Sequence, residues 1–196
     1  MDENMRKRNE LLAQTVIKGL KSRNMSGYYA ADKEEAVKLA LELIPEGSSI
    51  AMGGCMSAQE IGLIRVLEDG NYNYIDRAKL APREGLLAAY DADIFLSSAN
   101  AITNDGIMVN IDGNANRVSC IAQGPKKVVF IVGMNKVCSD LDEAMKRARN
   151  VAAPVNAQRF GIDTPCSKAG SCFDCKSPQC ICCQILTTRF SRVKGR

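Results

Sequence analysis

The chain has 196 residues, 46% of them hydrophobic and 24% charged, which is typical of one medium-sized globular domain with a small addition and excludes disordered and fibrous proteins. Its longest apolar run covers residues 128–132, far short of the ~20 residues that cross a bilayer. The net charge of +4 comes from the C-terminal end, because residues 159–196 carry seven Lys/Arg against two Asp/Glu, whereas the rest of the chain carries 19 against 20.

Residues 1–27 are predicted to contain one amphipathic helix, over residues 3–24. Leu12, Val16 and Leu20 recur at helical spacing, with charged residues between them. We expect the apolar face of this helix to pack on the body of the protein. A homodimer contact is the alternative use of the same face.

Residues 28–156 are predicted to form an α/β domain, because short apolar strands alternate with amphipathic helices. The predicted strands occupy residues 48–52, 72–75, 93–97, 107–109 and 127–132. The last of them has a continuous apolar run, which is typical of a strand buried on both faces of a sheet. The alternation predicts an open, mainly parallel sheet flanked by helices.

Capping and helix-ending residues mark the helix boundaries in this domain. Pro82 is expected at the first position of one helix, where proline is well tolerated. Ser57 followed by Glu60 has the capping-box pattern, so a helix is predicted to begin at Ser57. Ser139 is predicted to cap the last helix of the domain, and Pro154 is expected to end it.

A glycine-rich turn joins the first predicted strand to the Ser57 helix. Gly53 and Gly54 allow backbone N–H groups to approach an anion, and ligands of α/β sheets bind beyond the carboxyl ends of strands. An anion site is one interpretation of this turn, and an ordinary β–α connection is the other. Cys55 would be a nucleophile if the helix start lowered the pKa of its thiol, but such a cysteine more often simply packs.

Residues 97–118 are unusually rich in Asn, Asp and Gly. Turn formation explains the pairs Asp105-Gly106 and Asp112-Gly113. It does not explain Asn100 after an apolar strand or Asn110 inside an apolar run, because buried polar groups need partners. A ligand is one source of such partners, and Arg117 could hold a carboxylate or phosphate through two N–H groups.

Residues 157–196 are predicted to be a loop-built, cysteine-rich appendage with a basic tail. Six of the nine cysteines lie within residues 166–183, and the chain has no histidine. The N-terminal residues have no apolar core typical of a secretory signal peptide, so we expect a cytoplasmic location, where disulfides are rare. Thiol redox chemistry at Cys172-x-x-Cys175 is a further alternative, and unconnected structural cysteines are another. Metal or cluster ligation is the favoured hypothesis.

The basic tail could also contact nucleic acid. Stacking on bases needs aromatic side chains, and this part of the chain has no Trp and few Phe. We therefore predict no nucleic-acid partner. The positive charge would instead lie in solvent or offset thiolates bound to a metal.

The spacing of Cys166, Cys172 and Cys175 is C-x5-C-x2-C, one residue longer than the plant-type iron–sulfur pattern C-x4-C-x2-C. Zinc ribbons usually have two C-x-x-C pairs, and only one occurs here. The spacing favours an iron–sulfur cluster, with zinc as the alternative. The candidates for a fourth ligand are Cys180, Cys182 and Cys183.

The chain resembles the LUD (lactate-utilisation) domain family in four stretches. These are GGCMS at residues 53–57, DADIFLSSANAITNDGIMVNIDGNANRV at residues 91–118, GPKKVVFIVGMNKVCSDLDEAMKRARNVAAP at residues 124–154, and the pattern TPC…C..C from residue 164. The resemblance covers nearly the whole chain. It implies an open α/β sheet similar to that of the CoA-transferase, glucosamine-phosphate deaminase and ribose-phosphate isomerase group.

The resemblance also implies a ligand site, formed in that group by the first glycine loop and by a later Gly/Asp/Asn segment. The ligand-binding residues predicted for this chain are Gly53, Gly54, Ser57, Asn100, Asp105, Gly106, Asn110, Asp112 and Arg117. The family pattern TPC…C..C…IC places the fourth metal ligand at Cys182. No catalytic residue is predicted, because Asn100 stands where methylthioribose-phosphate isomerases have a catalytic Asp, and the capping box accounts for Glu60.

The family is associated with oxidation of lactate to pyruvate alongside iron–sulfur partners. We therefore expect an electron-transfer or accessory component with an anionic small-molecule ligand and an iron–sulfur or flavin oxidoreductase partner. Its [4Fe–4S] cluster would be held by Cys166, Cys172, Cys175 and Cys182. One alternative is a zinc-stabilised metabolite-binding or sensor module. Another is an isomerase or transferase that acts on a sugar phosphate or CoA ester through Cys55 or Asp105.

Overall fold

The computed structural model describes residues 2–196, so only Met1 of the predicted N-terminal segment lies outside the described residues. The helices are α1 (Glu3–Ser22), α2 (Lys33–Leu43), α3 (Met56–Glu60), α4 (Leu63–Asp69), α5 (Pro82–Asp91), α6 (Val118–Ala122), α7 (Leu141–Arg147), α8 (Ala153–Phe160) and α9 (Pro165–Ala169). The strands are β1 (Ser49–Met52), β2 (Asn73–Ile75), β3 (Ile94–Ser97), β4 (Ala101–Thr103), β5 (Met108–Asp112), β6 (Lys127–Phe130), β7 (Val137–Cys138) and β8 (Gln184–Thr188). Short 3-10 turns occur at Arg77–Lys79 and Met134–Lys136.

The first sheet has the strand order β2-β1-β3-β6, and every neighbouring pair in it is parallel. One of its faces packs on a core that includes Ala40 of α2 and Leu63 and Leu67 of α4. The other face packs on a core that includes Ala89 of α5 and Cys120 of α6. The predicted α/β fold, a mainly parallel sheet flanked by helices, is therefore confirmed.

The apolar strand β6 lies at the edge of this sheet, so the prediction that it is buried on both faces is wrong. Only Val129 of its four residues is buried, whereas all four residues of the neighbouring strand β3 are buried. The backbone N–H of Val128 donates to the carbonyl oxygen of Arg196 at 3.0 Å. The C-terminal end of the chain thus satisfies an edge N–H group that would otherwise be open to another strand.

A second sheet has the order β7-β4-β5-β8, with β4 and β5 joined as an antiparallel hairpin. Strand β8 pairs antiparallel with β5 over five residues, from Met108 opposite Thr188 to Asp112 opposite Gln184. The sequence does not predict β8, because three of its five residues are exposed and its partner is about 75 positions away in the chain. The stretch after the cysteines therefore belongs to a sheet.

Helix α1 confirms the predicted N-terminal helix and packs on the hairpin turn between β4 and β5. Ala13 and Val16 are buried on its inner face. Gly106 has a positive φ of 90°, and a Cβ there would lie 2.6 Å from the backbone nitrogen of Leu20. Glycine is therefore required where the turn meets the helix. No helix within residues 2–196 is long and apolar enough to cross a membrane.

The helix predicted to end at Pro154 continues through that proline, so this prediction is wrong. Helix α7 passes into a π-helical turn at Ala148–Ala152 and then directly into α8, which extends to Phe160. The wider π-turn accommodates the proline ring, which would clash with a carbonyl oxygen in a regular helix. The N-cap is Asp140, one residue after the predicted Ser139, and its carboxylate accepts the N–H of Glu143. We call α7, the π-turn and α8 together the central helix.

Candidate functional site

An open groove with a volume of about 1610 Å³ runs along the edge strand β6, and one end of it lies beyond the carboxyl ends of three strands of the parallel sheet. Gly54 and Ser57 follow β1, Ser98 and Asn100 follow β3, and Lys136 follows β6, and all five line the groove. Ligands of open α/β sheets bind at this edge. The groove is therefore the candidate site for a small molecule.

Lys136 is a charged group that contacts the residues after two of these strands. Its half-buried ammonium group donates to the hydroxyl oxygens of Ser98 at 2.8 Å and of Ser57 at 3.1 Å. Burial lowers the pKa of Lys136 from its usual value, because the charged form loses hydration. The lysine is thus held by two neutral hydroxyl groups rather than by a carboxylate.

The contact with Lys136 also shows why the predicted capping box at Ser57 is wrong. Helix α3 begins at Met56, and its N-cap is Cys55, which makes no side-chain capping bond. The Ser57 hydroxyl lies inside the first turn and accepts from Lys136 instead. Glu60 therefore has no capping role, and its exposed side chain lines the groove.

Arg147, on the central helix, is a second cation on the same groove. Its guanidinium donates to the carbonyl oxygens of Asn100 and of Asn135, the latter at 3.1 Å. Burial lowers the pKa of Arg147 from its usual value. Like Lys136, it forms no ion pair with a carboxylate of residues 2–196.

Arg117 lines the groove too, but its guanidinium is already paired with a carboxylate of the protein. Its side chain is bonded to Asp112 at 2.9 Å in an ion pair in which the two side chains are only 13% and 9% exposed. The other carboxylate oxygen of Asp112 accepts the backbone N–H groups of Arg117 and Val118. A Cβ at Gly53 would lie 2.7 Å from the Arg117 side chain, so glycine makes room for it. Arg117, Asp112 and Gly53 therefore stabilise the buried strand ends beneath the groove, which we call the groove floor.

Asn100 and Asn110 make protein contacts that account for most of their polar atoms. The Asn100 side-chain oxygen accepts from the backbone of Ile111 at 2.8 Å and from Arg117 at 2.9 Å. The Asn110 amide donates to the carbonyl of Ser98 at 2.9 Å. The Asn110 side-chain oxygen is buried without a hydrogen-bond partner among the described residues, and this residue does not line the groove.

The turn at Asp105 and Gly106 does not line the groove. The Asp105 carboxylate pairs with Arg23 at the end of α1 and accepts from the hydroxyl of Thr103. Those partners lower the pKa of Asp105, with Thr103 the larger cause. The turn therefore anchors α1.

Cys55 is fully buried in the core beneath the groove. Burial raises the pKa of its thiol, which outweighs the opposing effects of Lys136 and Arg117. A nucleophilic cysteine needs a lowered pKa and access to substrate. The packing interpretation of Cys55 therefore fits the structure.

The predicted ligand-binding residues are thus only partly brought together. Gly54, Ser57, Asn100 and Arg117 line the groove, whereas Gly53, Asp105, Gly106, Asn110 and Asp112 do not. Sequence reasoning missed Lys136 and Arg147. The rule that ligands bind beyond strand ends would have pointed to Lys136 if it had also been applied to the chain after β6.

The cysteine segment is fastened to the other face of the central helix. The Sγ atom of Cys172 accepts N–H groups from Arg149 and from the backbone of Asp174, both at 3.4 Å. The side-chain oxygen of Asn150 accepts the backbone N–H of Cys172 at 3.3 Å, and Arg149 also pairs with the Asp174 carboxylate. Two neighbouring residues of the π-turn therefore hold this segment.

Several thiols of the segment lie close enough to affect one another. The pKa of Cys182 is raised to about 12, first by burial and then by the thiols of Cys180, Cys172 and Cys166. Cys182 also packs on the core beneath the second sheet, whereas Cys183 is exposed. All nine cysteines are free thiols. Within residues 2–196, no three Cys, Asp or Glu side chains are already arranged as a metal site.

One of three comparisons with known proteins identifies a relationship. A search of curated proteins and a search of solved structures each gave no significant match. The sequence model of the LUD domain matches residues 13–196, which include the groove and the whole cysteine segment. The chain therefore belongs to the LUD domain family.

Proposed function

We propose that this protein is an electron-transfer or accessory component in the oxidation of lactate or a similar 2-hydroxy acid. In this proposal an anionic small molecule binds in the groove, and Cys166, Cys172, Cys175 and Cys182 hold a [4Fe–4S] cluster. Membership of the LUD domain family supports the lactate-utilisation setting. A bound cluster would supply one-electron transfer, and an iron–sulfur or flavin partner would complete the oxidation.

One observation carries the proposal: the groove and the cysteine segment lie on opposite faces of the same helix. Arg147, Val151 and Val155 of the central helix line the groove. Arg149 and Asn150, between them in the chain, bond to Cys172. A helix with its side chains is about 10–12 Å across, so a ligand and a cluster would be separated by little more than one helix.

The donors present fit a cluster held by thiolates. The charges of Cys172 and Cys166 act on the thiol of Cys182, so these three predicted ligands lie within electrostatic range of one another, and binding a cluster would require them to draw together. The Sγ atom of Cys172 accepts two N–H groups, and such hydrogen bonds to sulfur tune iron–sulfur clusters. Cys183 is exposed and its thiol is directed to the carbonyl of Cys180, which favours Cys182 as the fourth ligand.

The proposal does not extend to isomerase or transferase activity. Cys55 is buried with a raised pKa, and Asp105 is paired with Arg23 away from the groove. A zinc-stabilised binding module remains the competing proposal for the cysteine segment, because zinc also accepts four thiolates.

Purification without oxygen tests the proposal directly. We expect brown protein with equal amounts of iron and acid-labile sulfide. Cys182→Ser should lose the iron, whereas the matched variant Cys183→Ser should retain it. Colourless protein with one bound zinc would contradict the cluster and support the zinc-stabilised module. If Cys183→Ser loses iron and Cys182→Ser keeps it, the proposed ligand set is wrong.

A further inference from the structure

The groove is strongly cationic. Nine Lys or Arg residues line it, against the two acidic residues Asp32 and Glu60. Four of the cations, Arg159, Arg189, Arg192 and Arg196, come from residues 159–196, the part of the chain that carries the surplus positive charge. Four of the seven Lys and Arg residues of that segment therefore border the groove, and an anion is the ligand that the groove would attract.

Within this field, Lys136 is the cation best prepared to hold one anionic group. Two of its three N–H bonds are directed to Ser98 and Ser57, and these contacts fix the position of the ammonium group. No contact with another residue of the described chain accounts for the third N–H. Glu60 acts on Lys136 as a charge but makes no ion-pair contact with it. A half-buried charge with no carboxylate in contact costs free energy, which a bound anion would recover.

Arg147 supplies a second charge nearby. Its two hydrogen bonds go to the backbone carbonyls of Asn100 and Asn135, so they position the guanidinium without neutralising it. Arg117, by contrast, is neutralised by Asp112. Lys136 and Arg147 are therefore two groove cations without a carboxylate in contact, one after a strand end and one on the central helix, and they lie near enough for the charge of Arg147 to act on Lys136.

We propose that Lys136, positioned by Ser57 and Ser98 and assisted by Arg147, binds the carboxylate of a small 2-hydroxy or 2-oxo acid. The identity of the acid rests on the proposed function, whereas the anion site rests on the geometry of these four residues. A single ammonium N–H beside one guanidinium suits a singly charged carboxylate. A phosphate dianion is usually held by a larger set of backbone N–H donors, as in phosphate-binding loops.

Isothermal titration calorimetry with the full chain, at constant ionic strength, tests this site. The probes are lactate and pyruvate, with inorganic phosphate as the comparison anion. We expect both acids to bind, Lys136→Met to weaken their affinity at least tenfold, and phosphate to bind more weakly than either. Lys127→Met is the matched control, because Lys127 lines the same groove but donates to the carbonyl of Leu43. The affinity of the Lys127→Met variant for lactate and pyruvate should change less than threefold.

A second variant keeps the test decisive if Lys136→Met does not fold. Ser57→Ala removes one hydroxyl that positions the lysine and should weaken binding about threefold. Unchanged affinity in the variants, stronger binding of phosphate than of either acid, or no binding of either acid would overturn the proposal. Normal iron content without acid binding would refute this site alone. Acid binding by a zinc-containing protein would refute the cluster and leave the site standing.

Discussion

The groove and the cysteine segment lie on opposite faces of the central helix, and they are held in place by different means. The groove floor consists of buried strand ends tied by the Arg117–Asp112 ion pair. The cysteine segment is half-exposed, and its ties to the helix include the bonds of Arg149 and Asn150 to Cys172 and of Gln158 to Ser167. The difference predicts that the groove floor loses more stability when one of its contacts is removed, whereas the contacts of the cysteine segment have smaller and more local effects.

The largest effect is expected for Asp112→Asn, in the groove floor. The substitution leaves the nearly buried guanidinium of Arg117 without a counter-charge and weakens two bonds to backbone N–H groups. Breaking one partner of such a pair typically costs about 3–5 kcal/mol. Urea denaturation of the variant and the wild type measures this loss. A loss below about 1 kcal/mol would show that the ion pair does not support the floor.

A smaller, local effect is expected for Arg149→Met. The variant removes the donor to the Cys172 sulfur and the partner of the exposed Asp174 carboxylate. We expect a loss of about 1 kcal/mol, since partly exposed charged contacts contribute modestly. Hydrogen exchange should accelerate around residues 171–175 and remain unchanged in β3. The control is Lys146→Met, which borders the same hollow without a described bond to Cys172. Equal acceleration in both variants would contradict the role given to Arg149.

A still smaller effect is expected for Asp105→Asn. Like Asp112→Asn, it breaks an ion pair within residues 97–118, the stretch rich in Asn, Asp and Gly. The Asp105 side chain is 57% exposed, so its pair with Arg23 is screened by solvent. Exposed pairs contribute about 0–1 kcal/mol. Denaturation under the conditions used for Asp112→Asn should give a loss within this range. A loss as large as that of Asp112→Asn would show that burial does not distinguish the two pairs.

The smallest effect is expected at low pH, from Asp93 at the start of β3. The Ser49 hydroxyl, the Ser49 backbone N–H and Lys126 lower the pKa of Asp93 from its usual 3.8 to about 2. Because the folded pKa lies below the unfolded one, the stabilisation is present above about pH 4 and is lost as the pH falls toward 2. Asp93→Asn should flatten this part of the curve of stability against pH. An unchanged slope between pH 4 and 2 would contradict the assignment.

Sequence patterns predicted the elements whose signals are local. The strand at Ile94–Ser97, the proline-initiated helix α5 and helix α1 all depend on apolar spacing or on a residue with one strong preference. The edge position of β6 and the pairing of β8 with β5 could not be predicted in this way. Both depend on which strand lies alongside, and that is decided by contacts distant in the chain.

The sequence predicted only part of the site, because the partners of its side chains are distant in the chain. Gly54, Ser57 and Asn100 were predicted from their positions after strands, and they do line the groove. Their partners were not visible, because the capping-box pattern at Ser57 does not reveal that the hydroxyl meets Lys136, 79 positions away. For the same reason Arg117 was predicted to bind a ligand, although the fold gives it Asp112 as a partner.

The central claim is that a ligand in the groove and a cluster at the cysteines act across one helix. The most direct test is the midpoint potential and electron paramagnetic resonance spectrum of the reduced protein, purified without oxygen, before and after addition of pyruvate. We expect pyruvate to shift the potential or the spectrum of the wild-type protein. In the Lys136→Met variant, pyruvate should change neither the potential nor the spectrum. A wild-type cluster that is indifferent to saturating pyruvate, or protein that holds no cluster, would contradict the claim.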